Sequence, residues 1–426
     1  MTPAPTPFRF NRDRAPLFIA LLALWLVAPD AATAQDALAP PPRVAVTPPA
    51  MQAYSTNAID VFPAVRPAGQ EAAPLRWGPV TARPHLFYRF LYDDALPGGT
   101  NNYVESFVNE ISPGILLGIG DHIVVDYTPT LRYYSNDDFR DTLDHNAALI
   151  WGTTYRDWIF GLSQSYVETS TPQIETGTQT DQETFLTTLR ASYHFNSRVT
   201  MDLGVDQDIL SADDFQSFKE WSTLDWVNYS FYSGLDTSLG LGGGYVSTEF
   251  GPDMSYEQLQ GRVAWRATDK LSFRIQGGVE DRQFLNSGLE DAINPIFAAL
   301  IQYAPVETTR FTLTANRNVS VSLITSGTTQ NQIIESAEVG GGVNQRLMEH
   351  FYLDLGGGYH TIQYVTSGSS GSTREDNYIT FDARLNFTFL RRGTLAVFYH
   401  YSDNSSSDSQ FTFTSNQAGF QLEFRY

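Results

Sequence analysis

Tyr378-Ile-Thr-Phe381-Asp-Ala-Arg384-Leu-Asn-Phe387-Thr-Phe389 is the stretch that decides the fold. Ile379, Phe381, Ala383, Leu385, Phe387 and Phe389 alternate with Thr380, Asp382, Arg384, Asn386 and Thr388, so one face is wholly apolar and the other carries charge. Successive side chains of a β-strand point to opposite faces, and alternation of this length marks a strand with oil on one side and water on the other. The pattern recurs upstream. Leu271, Phe273, Ile275, Gly277 and Val279 oppose Ser272, Arg274, Gln276, Gly278 and Glu280; Phe185, Thr187, Leu189, Ala191, Tyr193 and Phe195 oppose Leu186, Thr188, Arg190, Ser192 and His194.

Composition agrees with a chain built of such strands: 28 Phe, 22 Tyr, 7 Trp and 32 Gly stand against 27 Lys plus Arg, a palette suited to pleated, half-exposed surfaces. The mean hydropathy of -0.24 conceals this, because strands that are apolar on one face only average out as polar. A formal net charge of -20 sets nucleic acid aside, since neutralising phosphates takes clustered Lys and Arg. Cysteine is absent from the sequence, which removes disulfide frameworks, thiolate zinc sites and thiol nucleophiles together.

The N-terminus supplies an address. Arg9, Arg12 and Arg14 precede an apolar run from Leu17 to Val27, and Ala32-Thr33-Ala34 has the small-x-small pattern of a signal-peptidase site, so residues 1–34 read as a secretory signal and Gln35 as the first mature residue. The apolar run is too short for a spanning helix, which needs roughly 20 residues. Residues 35–83 are rich in Pro and Ala and read as an extended or disordered periplasmic segment, without the patterned core of a plug domain. Residues 84–426 read as the barrel. A chain that leaves the cytoplasm and carries alternating aromatic strands is expected in the outer membrane, where every backbone amide must find a partner within a closed sheet.

Connection lengths test this independently, because barrels of that membrane have short periplasmic turns and longer outer loops. Short turns are marked at Gly118 to Asp121, Gly152 to Asp157, Phe195 to Arg198, Tyr232 to Leu235, Ala267 to Lys270, Ala304 to Glu307, Arg346 to Glu349 and Leu390 to Gly393. Longer polar stretches lie between them, among them Glu168 to Asp181, Ser211 to Lys219, Arg282 to Asp291, Ser320 to Thr329, Thr366 to Asp376 and Asp403 to Gln410. The expected fold is therefore all-β, a transmembrane antiparallel up-and-down β-barrel of about 18 strands with both termini periplasmic. Weak segments at Asp141 to Trp151 and Ala292 to Tyr303 would lower the count to about 16 if they fail to form.

The chain ends on Gln417-Ala-Gly419-Phe-Gln-Leu422-Glu-Phe424-Arg-Tyr426. Gln417, Gly419, Leu422 and Phe424 resemble the polar-x-Gly-x-x-apolar-x-aromatic C-terminal strand of outer-membrane barrel proteins, with Tyr426 at the end where Phe is commoner. That resemblance implies recognition by the barrel assembly machinery. A soluble edge strand of this sequence would leave its large apolar side chains uncovered. Beyond the terminal strand, the segment from Pro84 to Tyr426 resembles the β-barrel porins often associated with polysaccharide export, by texture, aromatic strand ends and length. The resemblance implies a passive or semi-selective channel with saccharide or polysaccharide as one expected cargo.

No catalytic constellation stands out. Ser163 and Ser165 in Gly161-Leu-Ser-Gln-Ser do not form a nucleophile elbow. His85, His122, His145, His194, His350, His360 and His400 are scattered without metal-ligand spacing. The glycine runs 242–244, 340–342 and 356–358 lack the Lys-Ser/Thr ending of a phosphate loop, and glycine inside strands permits bending and close approach instead. Neither catalytic residues nor an organic cofactor are expected. Carboxylates of the outer loops (Asp137, Asp138, Asp141, Asp213, Asp214, Asp253, Glu290, Asp291, Glu375, Asp376, Asp403 and Asp408) either form a solvated negative surface or hold divalent cations that bridge to lipopolysaccharide.

The alternation places Arg89, Asp126, Arg132, Arg190, Asp202, Asp206, Arg262, Arg274, Glu280, Asp354, Asp382 and Arg384 on the lumen side, because charge on the lipid face destabilises a barrel. A barrel of about 16 to 18 strands leaves an aqueous channel where one of about 8 is filled by side chains. The expected function is a porin-like channel for small hydrophilic solutes. Two rivals remain at this stage, a closed structural or adhesion barrel and a barrel lipase, and the oligomeric state is open.

Overall fold

Strands follow one another from Val80 to Arg425, and in the computed structural model of the chain each pairs with the next in antiparallel fashion. The structure describes residues 75–426 apart from 100–101, 233, 286, 288–289, 324–331, 367–371, 390–391 and 426. The expected signal peptide, most of the Pro/Ala-rich segment and Tyr426 lie outside the described residues.

A short β1 (Leu75–Trp77) leads into β2 (Val80–Pro97), β3 (Tyr103–Ile119), β4 (Ile123–Tyr134), β5 (Thr142–Tyr155), β6 (Trp158–Gln173) and β7 (Thr178–His194). There follow β8 (Val199–Ala212), β9 (Phe218–Tyr232), β10 (Leu235–Thr248), β11 (Met254–Thr268), β12 (Leu271–Phe284) and β13 (Ala292–Val306). The wall is completed by β14 (Thr309–Val321), β15 (Gln332–Arg346), β16 (Phe351–Thr366), β17 (Ser372–Phe389), β18 (Gly393–Ser406) and β19 (Phe413–Arg425). Consecutive strands pair throughout, and β19 pairs back onto β2 from Gln417↔Asp93 to Arg425↔His85, so β2 to β19 form a closed ladder of 18 strands among the described residues. At this seam the carboxylate of Asp93, fully buried, accepts from Ser415 Oγ at 2.8 Å and Gln417 Nε2 at 2.7 Å.

The weak segments are strands, β5 and β13, so the count is the higher of the two expected. All eight expected short turns fall between strands at one end, with two to four residues each. The connections at the other end are shorter than expected, four to ten residues, because the stems of several loops continue as paired strand. Glu168 to Asp181, read as a loop, is strand on both sides of a turn at 174–177: its Thr residues suit a strand, but the segment carries no lipid-facing alternation. The start of the barrel is also corrected. Pairing begins at Leu75 and Val80 instead of Pro84, with Gly78 at φ +61° and Pro79 making the turn. Pro84 is tolerated because pairing with β1 ends at Ala82 and pairing with β19 begins at His85, so its missing N–H removes no bond on that side among the described residues.

The outward face is oily. Leu259, Ile275, Val279, Leu313, Val339 and Val397 are all more than two-fifths exposed. Aromatic pairs cluster at the short-turn end, including Trp158 against Phe160, Tyr229 against Phe231, Trp265 against Phe273 and Phe351 against Phe387. Such a girdle marks a membrane interface. A charge in the band beyond it should therefore be costly: Val279→Arg, whose parent side chain is 48% exposed, is expected to destabilise by about 2–4 kcal/mol. Urea titration of the barrel refolded into lipid vesicles measures this, and an unchanged midpoint would place Val279 outside the hydrocarbon.

Candidate functional site

The register puts all twelve lumen candidates on the face opposite the oily one, where they cross-pair between strands. The tightest group runs across four strands. Arg89 of β2 holds Glu110 of β3 through Nε and Nη2 at 2.7 and 2.9 Å, Arg132 of β4 donates to the same carboxylate at 2.8 Å, and its other arm reaches Asp144 of β5. All four are buried, so this is an alternating row of charges with no water to share, stable only while every member is present.

Farther round, the lumen charges are half open. Arg190 donates to Asp206 at 2.7 Å, with side chains 40% and 30% exposed. Asp202 accepts from Ser192 and Asn228 at 2.7 Å, and Arg262 lies over the Trp226 ring while donating to Asn228 at 2.9 Å. Asp126, 38% exposed, accepts from Thr128. An amide relay follows on β11 and β12: Gln276 donates to Gln260 at 2.6 Å, Gln260 to Gln258 at 2.8 Å and Gln258 to Glu280 at 2.7 Å, whose other oxygen takes Arg282 Nε at 2.8 Å. On β15 to β18, Asp354 accepts from Asn344 and Asn386, Asp382 meets His400 Nδ1 at 2.6 Å, and Arg384 stands across the ladder from Asp354. Arg274 lies on the same face beside Ala264 and Leu300. Gly244 leaves room for the Tyr256 ring, which would collide with a Cβ there.

Toward the loop end the interior fills. Pairing of β6 with β5 ends at Glu168 and that of β7 with β8 at Gln182, yet β6 and β7 stay paired to Gln173↔Thr178. Residues 169–181 are thus a hairpin that has left the wall. Its tip is buried, with Glu175 wholly inaccessible, and Ile174 packs on Tyr378 and Phe413 of β17 and β19. Glu175 Oε1 accepts from Ser322 Oγ and Leu323 N, each at 2.7 Å, and its carbonyl accepts from Arg374 Nη1 at 3.2 Å. Those partners follow β14 or lie on β17, so the tip has crossed to the far wall. Gly177 at φ +70° closes the turn, with the Phe411 ring 3.5 Å from where a Cβ would stand. At the stem, Thr169 Oγ1 and Ser170 N donate to Asp144, tying the hairpin to the charge row.

A second hairpin comes from the opposite side. β14 stops pairing with β13 at Arg317↔Phe297 but continues with β15 to Val321↔Ile333, while β15 stays paired with β16 to Gln332↔Thr366, so this hairpin leans inward from the wall on its β13 side alone. Val319, Val321, Leu323 and Ile333 then pack on Leu210, Phe218, Val246, Met254, Tyr256 and Phe284 of the inner wall. Arg374 sits between the Tyr364 and Phe411 rings, paired with Asp376 at 2.9 Å.

Glu110, Asp144, Glu175 and Arg374 belong to this site and were not among the sequence candidates. Glu110 and Asp144 were legible in principle, since pairing β3 against β2 and β4 by alternation sets Glu110 beside Arg89 and Arg132. Glu175 gave no signal: its partners lie 147 to 199 residues away. Of the assembly-signal residues, Gln417 and Gly419 face inward while Leu422 and Phe424 face outward on β19. Among the described residues no group of three or more His, Asp or Glu is placed to hold a metal ion.

Residues 255–426 match the family model described as "Putative beta-barrel porin 2". That match spans β11 to β19, half of the wall, and meets the porin resemblance read from the sequence; it does not reach the polysaccharide-export qualifier. No curated protein matches the chain. Among solved structures, the outer membrane protein opdK from Pseudomonas aeruginosa aligns over 81% of this chain and 98% of its own at 13% identity and a TM-score of 0.44. OprD from Pseudomonas aeruginosa aligns over 84% and 97% at 8% identity and 0.45, and OccAB3 from Acinetobacter baumannii over 81% and 99% at 8% and 0.45.

Proposed function

We propose that the chain is an outer-membrane porin that passes small hydrophilic solutes along its charged inner wall, with the mouth narrowed by the two in-folded hairpins. The observation that carries this is the closed 18-strand ladder whose outward series is mainly apolar and whose inward series carries the paired charges. In lipid a sheet satisfies its own backbone only when it is closed, and a wall of this size encloses more space than its side chains fill. The porin family match over β11 to β19 supports the same reading. The short-turn end and β1 face the periplasm on this reading, and the loop end faces lipopolysaccharide, with divalent cations as bridges to loop carboxylates and the barrel assembly machinery as the route of insertion.

Saccharides are the favoured cargo because of the amide relay Gln276–Gln260–Gln258, which offers donors and acceptors to hydroxyl groups without demanding charge. Liposome swelling against a graded series of sugars, together with conductance in planar bilayers, tests the channel. Folded protein that gives neither swelling nor current steps would instead favour a closed structural barrel. The charged wall makes a sharper prediction: Asp202→Asn combined with Asp206→Asn, which removes two half-exposed negative charges, shifts the reversal potential in a salt gradient toward anion preference. An unmoved reversal potential would show that ions do not pass this wall.

A further inference from the structure

Polar side chains cross the lipid face of the barrel at half its height on β6 to β9. Gln164, Thr187 and Gln207 are ladder neighbours, Gln164↔Thr187 and Thr187↔Gln207, and Asp225 follows on β9 between the exposed Trp221 and Tyr229. All four belong to the outward series, opposite in sense to the inward Thr188, Asp206 and Trp226 that adjoin them. Asp225 stands seven residues from each end of its strand, level with the ladder partner Leu241, which is 63% exposed.

Their bonding is incomplete. Thr187 Oγ1 lies 2.7 Å from Gln164 Oε1 and 3.0 Å from Gln207 Oε1, and one hydroxyl proton cannot fully serve both. Asp225 Oδ1 accepts from Gly204 N at 3.0 Å, where the β8–β9 ladder is interrupted, and from Thr223 Oγ1 at 3.3 Å. Among the described residues the carboxamide nitrogen of Gln207 and the second carboxylate oxygen of Asp225 have no hydrogen-bond partner. Hydrocarbon supplies none either, so groups of this kind at mid-membrane call for a protein neighbour.

We propose that this strip is the contact surface for a second copy of the chain, an inference that rests on the outer-membrane reading above. The strip is complementary to itself: amide donors lie on its β6 and β8 side, an acceptor carboxylate on its β9 side. Two barrels inserted the same way up can be related only by an axis along the membrane normal. A twofold axis there sets β6 to β9 of one copy against β9 to β6 of the other, so Asp225 meets a glutamine amide and the same patch serves both. The apolar Leu189 and Val205, exposed beside the strip, then lie close to the axis, each near its own mate.

The absence of cysteine makes the test clean. The full chain with Val205→Cys or Leu189→Cys is expressed into the outer membrane and treated with a short bismaleimide. The expected result is a cross-linked dimer from either variant and none from Val279→Cys, which sits on the same oily face away from the strip. Adding Asp225→Leu, or Gln207→Leu where the former fails to fold, lowers the dimer fraction roughly threefold to tenfold, the effect of removing one or two interfacial hydrogen bonds within a membrane. Barrels that are inserted, as judged by extraction only with detergent, but give no dimer at Val205 or Leu189, an equal yield at Val279, or no response to either strip substitution would each overturn the proposal. Chain recovered in the soluble fraction would overturn the membrane reading first, and the interface with it.

Discussion

Replacing residues 171–180 by a two-residue Asn-Gly turn, which joins the ladder partners Ser170 and Asp181, raises single-channel conductance severalfold and admits larger sugars in liposome swelling. The reason lies in how the hairpin 169–181 is held. It leaves the wall after Glu168 and Gln182, and its tip fastens to the far side through Glu175 with Ser322 and Leu323 and through Arg374. Removing the tip withdraws Ile174 from between Tyr103, Tyr378 and Phe413 and breaks the bridge to the β14–β15 hairpin, while every ladder bond of the wall remains. The barrel should insert and resist extraction as before, so the change in current reports the mouth alone. Conductance equal to that of the intact chain would mean that solute does not pass the point where the two hairpins meet.

Glu110→Ala is expected to be among the most damaging single substitutions in the molecule, lowering stability by about 3–5 kcal/mol in urea titrations of the refolded barrel. Glu110 is 2% exposed and is the shared partner of Arg89 and Arg132, so its loss leaves two guanidinium groups desolvated beside each other. Arg132 would be left with Asp144, whose remaining bonds hold the stem of the hairpin at Thr169 and Ser170. The same substitution should therefore loosen the mouth and make current through the channel noisier. A control separates charge from packing: replacing Arg89, Glu110, Arg132 and Asp144 together by apolar residues should cost less than Glu110→Ala alone, because no ion is then stranded. A quadruple variant less stable than the single one would refute that account.

Much of the architecture was legible where lipid meets the wall. Residues 378–389 lie in β17 in the expected sense, and each of the eight short turns separates two strands, because periodicity and turn chemistry are local properties. Legibility failed where that contrast was absent. In β13 the inward residues Ile296, Ala298 and Leu300 are themselves apolar, which erases the alternation. In β5 the outward series carries His145 and Ala147, and the strand reads weakly. The hairpin at 169–181 meets no lipid at all and so resembled a loop. Within the site, Arg89 and Arg132 could be placed by alternation, whereas Glu175 and Arg374 act through partners brought together only by the closed wall. Gln164, Thr187, Gln207 and Asp225 run against the rule that oil faces oil, and only the register shows that they share one face.

The seam between β19 and β2 bears on how such a molecule is made. Asp93 can bury its carboxylate only when Ser415 and Gln417 arrive, more than three hundred residues later in synthesis. Until then two raw edges stand open and β2 holds a charge it cannot shelter. The cylinder thus has no finished half: a chain cut short before its last strand would have nothing to clasp, and maturation becomes a single closing event set by delivery of the final dozen residues.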